Sequence, residues 1–362
     1  MKTTTKLAVF AAMTGMAFSA SAASVTLYGS VSTGLVVTHT PSHNADGEKV
    51  SSKTSYAMES GWYGDSNWGL TGSEELANGW KAGFTLESNF ASDTGELGEE
   101  GRLFDSQSYL SIGNDTVTFV AGRIGALSSG GGDFDLLGGF DPMEAKFGIG
   151  GMGLFASRDL VANNALAAVV TPVEGLTLAG AVSSGVETDA GEWSDNVHYY
   201  ALGANYAVDA FAASLIAERV TLPEADDQDF YSLGLSYDFG FVKPMFAYQH
   251  GKHVGVSMNS TFEILEDIER IKADSFLVGA TAPLAGGNLM VSYQYFTGKG
   301  DVSGAKGKAQ AFGVAYDYPL SKRTSVFTGA TWAKGSKALD KDNAGTEAFN
   351  QYTFGVGLKH TF

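Results

Sequence analysis

A two-residue alternation of apolar and polar side chains recurs along this 362-residue chain and constrains its fold more than any other feature. In residues 80–87 and 231–239 every second side chain is apolar, as it is in residues 351–362 except at His360, and Gly, Ser, Thr and Gln dominate the positions between. Successive side chains of a β-strand point to opposite faces, so the pattern predicts an all-β chain with one apolar and one water-lined face. The residues assigned to the apolar, outward face include Trp80, Phe84, Leu86, Leu233, Leu235, Val291 and Leu358. Lys81, Thr85, Ser236 and Gln351 are assigned to the opposite face.

The connections between these segments alternate between tight and long. The tight connections are Asn114-Asp115, 207–210, Gly240, 283–287 and 319–323. The long, polar connections are residues 39–53, 91–103, 124–153, 185–196, 221–229, 251–272, 298–307 and 335–348. About sixteen strands fit between them, and short turns at one end with long loops at the other are typical of a transmembrane β-barrel. Such a closed antiparallel sheet leaves no unpaired backbone edge in lipid.

The first 22 residues have the form of an export signal. Lys2 and Lys6 form a basic start, an apolar stretch covers residues 7–18, and Ala20-Ser21-Ala22 is an A-x-A cleavage site. We therefore expect a cleaved signal peptide at residues 1–22 and a mature barrel at residues 23–362. No later segment approaches the 18 apolar residues of a membrane-spanning helix.

The composition excludes several kinds of site. The chain has no cysteine, which removes disulfides, thiolate metal sites and cysteine nucleophiles. Its 23 basic and 40 acidic residues give a formal charge of −17, which disfavours binding to a phosphate backbone and hence to nucleic acid. No H-E-x-x-H or G-x-S-x-G motif occurs, so we expect no catalytic residues, no metal site and no cofactor.

Several segments together resemble the Gram-negative trimeric general porins, and the resemblance covers the mature chain. Residues 25–29 (VTLYG) resemble the family's first strand, and residues 68–82 (WGLTGSEELANGWKA) resemble its second hairpin. Residues 357–362 (GLKHTF) are similar to the C-terminal strand of the neisserial and β-proteobacterial branch. The resemblance implies a sixteen-stranded antiparallel barrel, a homotrimer, and a third extracellular loop that folds into the lumen. It also implies that Phe362 is an assembly signal for the barrel-assembly machinery.

The charges near the implied constriction depart from the family pattern. Residues 124–153 would be the third loop, and they carry the acidic residues Asp133, Asp135, Asp141 and Glu144. General porins usually oppose such a loop with basic residues on the barrel wall, but four of those positions hold Ser30, Asn67, Thr71 and Ser106 here. Arg158, Arg102 and Lys81 are the basic candidates that remain. We therefore expect a pore that prefers cations.

The combined features predict an outer-membrane porin, a water-filled channel for passive diffusion of small hydrophilic solutes and ions in a Gram-negative bacterium. Lipopolysaccharide and outer-membrane lipid are the expected surroundings. Two alternatives stay open. A barrel enzyme would need a nucleophile with a nearby base, and a non-conducting adhesin barrel would carry no ion current in a planar bilayer.

Overall fold

The computed structural model describes residues 24–43, 49–158, 160–186, 192–254, 270–304, 306–335 and 350–362. The expected export signal lies outside the described residues. No helix in these ranges is long and apolar enough to cross a membrane.

One antiparallel sheet closes on itself through these residues. Its second strand is interrupted, and when its two segments are counted together the described sheet has sixteen strands. The strands are β1 Ser24–His43, β2 Lys49–Ser60 with Asn67–Glu75, β3 Lys81–Asn89, β4 Gln107–Gly113, β5 Val117–Gly125, β6 Val161–Val173, β7 Leu176–Ser183, β8 His198–Val208, β9 Phe211–Leu222, β10 Ala225–Tyr237, β11 Lys243–Val254, β12 Ile271–Leu284, β13 Gly287–Gly300, β14 Lys306–Pro319, β15 Thr324–Gly335 and β16 Asn350–Thr361. The prediction of a sixteen-stranded barrel is confirmed.

The barrel closes where the last strand pairs with the first. The β1–β16 register runs from Ser30 opposite Thr361 to His39 opposite Tyr352. The terminal Phe362 extends this ladder, because its N–H donates to the Gly29 carbonyl (3.0 Å) and its carbonyl accepts from the Gly29 N–H (3.2 Å). The final residue therefore takes part in removing the last open edge of the sheet.

The alternation of side chains follows the two faces of this sheet as the sequence predicts. On β10, Leu235 is 36% exposed and its neighbour Ser236 is 5% exposed. Leu358, which the sequence assigns to the apolar face, is 48% exposed on β16, and Thr85, which it assigns to the other face, is 7% exposed on β3. We call the exposed apolar face outward and the opposite face inward.

Residues 221–229 form a hairpin of two long strands rather than the loop that their charge predicts. β9 continues to Leu222, and β10 begins at Ala225, directly opposite it. Arg219 on β9 donates to Asp229 on β10 over 2.7 Å, so the charged side chains pair across the strands. These strands extend beyond the apolar band that faces lipid in a membrane barrel. Polar side chains there can be solvated on both faces of the sheet, so the strand pairing continues through a charged segment.

We expect thiol labelling to separate the two faces of β16. Thr353 lines a cavity described below, whereas Phe354 is 53% exposed on the outward face. In the cysteine-free barrel embedded in bilayers, a water-soluble maleimide should modify Cys introduced by Thr353→Cys much faster than Cys introduced by Phe354→Cys. Equal rates, with both variants folded, would contradict the assignment of faces.

Candidate functional site

The connection between β5 and β6, residues 126–160, is the third loop in chain order, and a buried carboxylate on β9 holds its first part. Glu218 is 3% exposed and accepts hydrogen bonds from the Ser128 N–H (3.3 Å), the Ser128 hydroxyl and the Tyr199 hydroxyl (2.6 Å). The Tyr199 oxygen in turn accepts from the Leu127 N–H (2.9 Å). Glu218 has the parity of Ser214 and so lies on the inward face.

Two inward glutamines hold the last part of the same loop. Gln249 of β11 accepts from the Ala156 N–H (3.0 Å) and donates to the Ser157 hydroxyl (2.6 Å). Gln294 of β13 accepts from the Leu154 N–H (3.1 Å) and donates to the Ile149 carbonyl (2.8 Å). An amide supplies both a donor and an acceptor, so each glutamine satisfies backbone groups that the irregular loop leaves unpaired.

Inward-facing glycines let the loop approach the strands closely. A Cβ atom on Gly234, Gly279 or Gly313 would come within 2.6 Å of the side chain of Phe140, Pro142 or Met143, respectively. A distance this short is not available to a real Cβ, so a larger residue would require the contacting side chain of the loop to shift. The glycines at these strand positions therefore reflect the packing of the loop.

The interruption of β2 brings an aromatic residue to the same loop. Pairing with β1 stops at Ser60 and resumes at Asn67, so residues 61–66 leave the ladder. Within this segment, the Trp62 ring meets Phe147 edge-on, with ring centroids 5.1 Å apart. The Trp62 carbonyl also accepts from the Phe147 N–H (2.7 Å).

A cavity of about 720 Å³ lies between this loop and strands β1 to β3, β15 and β16. Five carboxylates and three basic side chains are among the residues that line it. The carboxylates are Glu59, Asp65, Glu87, Asp105 and Glu144, and the basic residues are Lys146, Arg158 and Lys359. The lining therefore carries an excess of negative charge when all of these groups are ionised.

The wall carboxylates are held by neutral donors. Glu87 on β3 accepts from the Tyr28 hydroxyl (3.0 Å) and the Ser106 hydroxyl (2.5 Å). Asp105, from the connection that precedes β4, accepts from the Asn89 N–H (2.7 Å). Because these donors are neutral, they add no positive charge beside either carboxylate.

Two of the three basic side chains lie over one aromatic ring. Lys146 of the loop and Lys359 of β16 both lie over Tyr63, with their Nζ atoms 5.1 and 5.2 Å from the ring centroid. Lys146 also forms an ion pair with Glu144, and this pair lowers the pKa of the Glu144 carboxyl below its usual value. Part of the positive charge on this side is thus compensated locally.

The four acidic loop residues predicted at the constriction divide into two kinds. Glu144 is exposed and lines the cavity, whereas Asp135 and Asp141 are 8% and 1% exposed and do not. Asp135 accepts from the Leu137 N–H (2.8 Å) and Asp141 from the Met143 N–H (2.9 Å), so each carboxylate closes a turn of the loop. Burial raises the pKa of both groups to about 6.

Asp133 is half-buried and accepts a hydrogen bond from the Tyr109 hydroxyl. Asp133 is not among the residues that line the cavity.

The three basic candidates also divide. Arg158 lines the cavity and donates to the Gly148 carbonyl (3.2 Å), so it also secures the loop. Arg102 instead pairs with Glu99 (2.8 Å) in the second loop. Lys81 lies at the start of β3, near the tight-turn end, and pairs with Glu75 (3.7 Å). Neither Arg102 nor Lys81 is among the residues that line the cavity.

The carboxylates of the wall and the lysine of β16 were not predicted from the sequence. For Glu87 and Lys359 the available signal was strand parity, because Glu87 shares a face with Thr85 and Lys359 shares a face with Gln351. Asp65 had no such signal, because it lies in the interruption of β2.

Comparisons with known proteins agree with this architecture. The sequence profile of a family described as Gram-negative porin matches residues 7–338. The chain is 30% identical to an outer membrane porin protein of Bordetella pertussis, over 94% of each chain. Its fold matches the anion-selective porin from Comamonas acidovorans with a TM-score of 0.73 at 25% identity, covering 94% of this chain and 100% of that one. It also matches OmpT of Vibrio cholerae in its trimer form, with a TM-score of 0.65 at 13% identity over 94% and 100% of the two chains.

Proposed function

The chain belongs to the Gram-negative porin family and forms an outer-membrane porin channel, and we propose that this channel prefers cations. Small hydrophilic solutes and ions cross such a barrel by passive diffusion. The observation that carries the proposal is the lining of the cavity, where five carboxylates outnumber three basic side chains.

The third loop is proposed to fold into the lumen and form the constriction. Support comes from its contacts with inward-facing residues of many strands, including Glu218 of β9, Gln249 of β11 and Gln294 of β13. The cavity beside the loop would then be the narrow part of the water-filled path. Charges at a constriction select ions by changing the electrostatic barrier to their passage.

The source of the proposed selectivity differs from the one the sequence indicated. Asp135 and Asp141 close turns inside the loop, whereas Glu59, Asp65, Glu87 and Asp105 line the cavity from the wall. The related porin of Comamonas acidovorans is described as anion-selective. We propose that these wall carboxylates give the present channel the opposite preference.

We expect the double variant Glu87→Gln/Asp105→Asn to lower the ratio of potassium to chloride permeability by about 30-fold at low salt. Each unit charge about 8 Å from a passing ion contributes roughly 0.5 kcal/mol in water, attracting potassium and repelling chloride, so two charges together shift the ratio by about 2 kcal/mol. Reversal potentials in planar bilayers under a KCl gradient measure the effect. It should fade at high salt, because the screening length falls to about 3 Å at 1 M.

The matched control is Asp135→Asn/Asp141→Asn, which removes two charges from the loop while keeping an acceptor oxygen at each turn. Because neither residue lines the cavity, the permeability ratio should stay near that of the unmodified protein. Chloride preference of the unmodified channel would contradict the proposal. If the control lowered the permeability ratio as much as the wall variant does, the loop carboxylates would contribute to the selectivity as strongly as the wall carboxylates.

The channel is proposed to act without enzymatic chemistry and to assemble as a homotrimer, as the trimer form of the Vibrio cholerae relative suggests. Its insertion is proposed to use the barrel-assembly machinery, after an export signal at residues 1–22 has been removed. A barrel that gave no ion current in planar bilayers would favour the adhesin alternative.

A further inference from the structure

A row of lysines crosses the outward face at the long-loop end of β12, β13 and β14. Lys272 lies directly opposite Lys299, and Lys299 lies directly opposite Lys306. All three are exposed, and each alternates with buried inward residues on its own strand. Lys308, two residues along β14, and Lys334 on β15 are also exposed on this face. We call Lys272, Lys299 and Lys306 the lysine row.

The lysine row is electrostatically unfavourable by itself. Like charges placed directly opposite on neighbouring strands destabilise a sheet. Within the described parts of the chain, none of the three lysines forms an ion pair with a carboxylate. Arg219, an outward charge three strands away on β9, is compensated by Asp229 (2.7 Å). In a chain with a net charge of −17, a basic row that has no ion pair among the described residues is suited to binding an anion.

The lysine row lies just beyond an aromatic belt on the same strands. Phe276 is 36% exposed on β12, four residues from Lys272, and Tyr295 stands in the equivalent place on β13, four residues from Lys299. Aromatic residues of membrane barrels mark the edges of the apolar band. Four residues of strand span about 13 Å, less when the strand is tilted, which places the lysines at the level of the lipid headgroups.

We propose that the lysine row binds the phosphate groups of an outer-leaflet glycolipid directly, without a bridging divalent cation. The long loops of such barrels face the cell exterior, so the row meets the outer leaflet. Phosphates between neighbouring ammonium groups would remove the repulsion along the row, while the acyl chains lie against the apolar band below. The inference rests on the outer-membrane location and is independent of ion selectivity.

The test compares three purified, folded barrels in zwitterionic detergent with EDTA present throughout. They are the unmodified protein, K272Q/K299Q/K306Q, and a control, K53Q/K322Q/R323Q, that removes three exposed positive charges elsewhere. Diphosphorylated lipid A is the probe, and native mass spectrometry counts the bound lipid. Each lysine near an anionic surface contributes about fivefold in affinity, so the row variant should bind about 100-fold more weakly. The control should bind like the unmodified protein.

Three results would overturn the proposal. They are equal binding by the row variant and the control, undiminished binding of dephosphorylated lipid A, and displacement of lipid A by inorganic phosphate in excess. The last result would make the row a site for free phosphate instead. Single-channel currents of the same preparations separate this question from the channel proposal, because the row variant should conduct as the unmodified protein does.

Discussion

Replacing Glu218 with alanine is expected to release the beginning of the third loop and to destabilise the barrel by about 2–6 kcal/mol. The change leaves the Ser128 N–H and the Tyr199 hydroxyl without their shared acceptor in a buried site, whereas the Ser128 hydroxyl keeps the Ser157 hydroxyl as a partner. Each buried donor left unsatisfied costs about 1–3 kcal/mol. Urea unfolding in detergent measures the loss, and single-channel recordings should show added flicker and substates as the loop moves.

Two variants test whether the lost acceptor is the cause. Glu218→Gln keeps an oxygen that can accept from Tyr199 and from the Ser128 N–H, so most of the stability and a quiet current should return. Arg219→Ala changes the next residue on the same strand, but its exposed ion pair on the outward face is worth at most about 1 kcal/mol. A Glu218→Ala barrel with unchanged unfolding and unchanged current would show that this carboxylate does not hold the loop.

The barrel was predictable from the sequence because its main determinant is local. Strand parity requires only that each side chain alternate with its neighbours, and Leu235 and Ser236 lie on the faces that the alternation assigns. The hairpin at residues 221–229 was predicted wrongly for the same reason. Its strands extend beyond the apolar band, where the alternation no longer distinguishes strand from loop.

The candidate site was less predictable because it depends on contacts between residues distant in the chain. Glu218 meets Ser128 across 90 positions, and Gln294 meets Leu154 across 140. Counting charges on the third loop assigned Asp135 and Asp141 to the pore. In the structure, each of these aspartates closes a turn, because its side-chain oxygen accepts from the backbone N–H two residues further along the chain. This is a common role of aspartate in loops.

Deleting Phe362 is expected to lower the yield of folded barrel in cells severalfold. The residue makes two backbone hydrogen bonds with Gly29 that complete the pairing between β16 and β1. Those bonds contribute about 1–3 kcal/mol together, a modest part of the stability of a sheet with so many paired strands. Heat-modifiable, protease-resistant protein in outer-membrane fractions measures the yield.

Comparing cells with refolding of purified chains distinguishes the two roles of this residue. If Phe362 only closes the sheet, its deletion should reduce refolding into detergent and folding in cells by the same factor. If the assembly machinery also reads it, the loss in cells should be much larger, and Phe362→Tyr, which keeps an aromatic ring and the backbone bonds, should restore most of it. Unchanged yield of the deletion variant in cells would rule out both roles, and the β1–β16 ladder from Ser30 to His39 would then be sufficient to close the barrel.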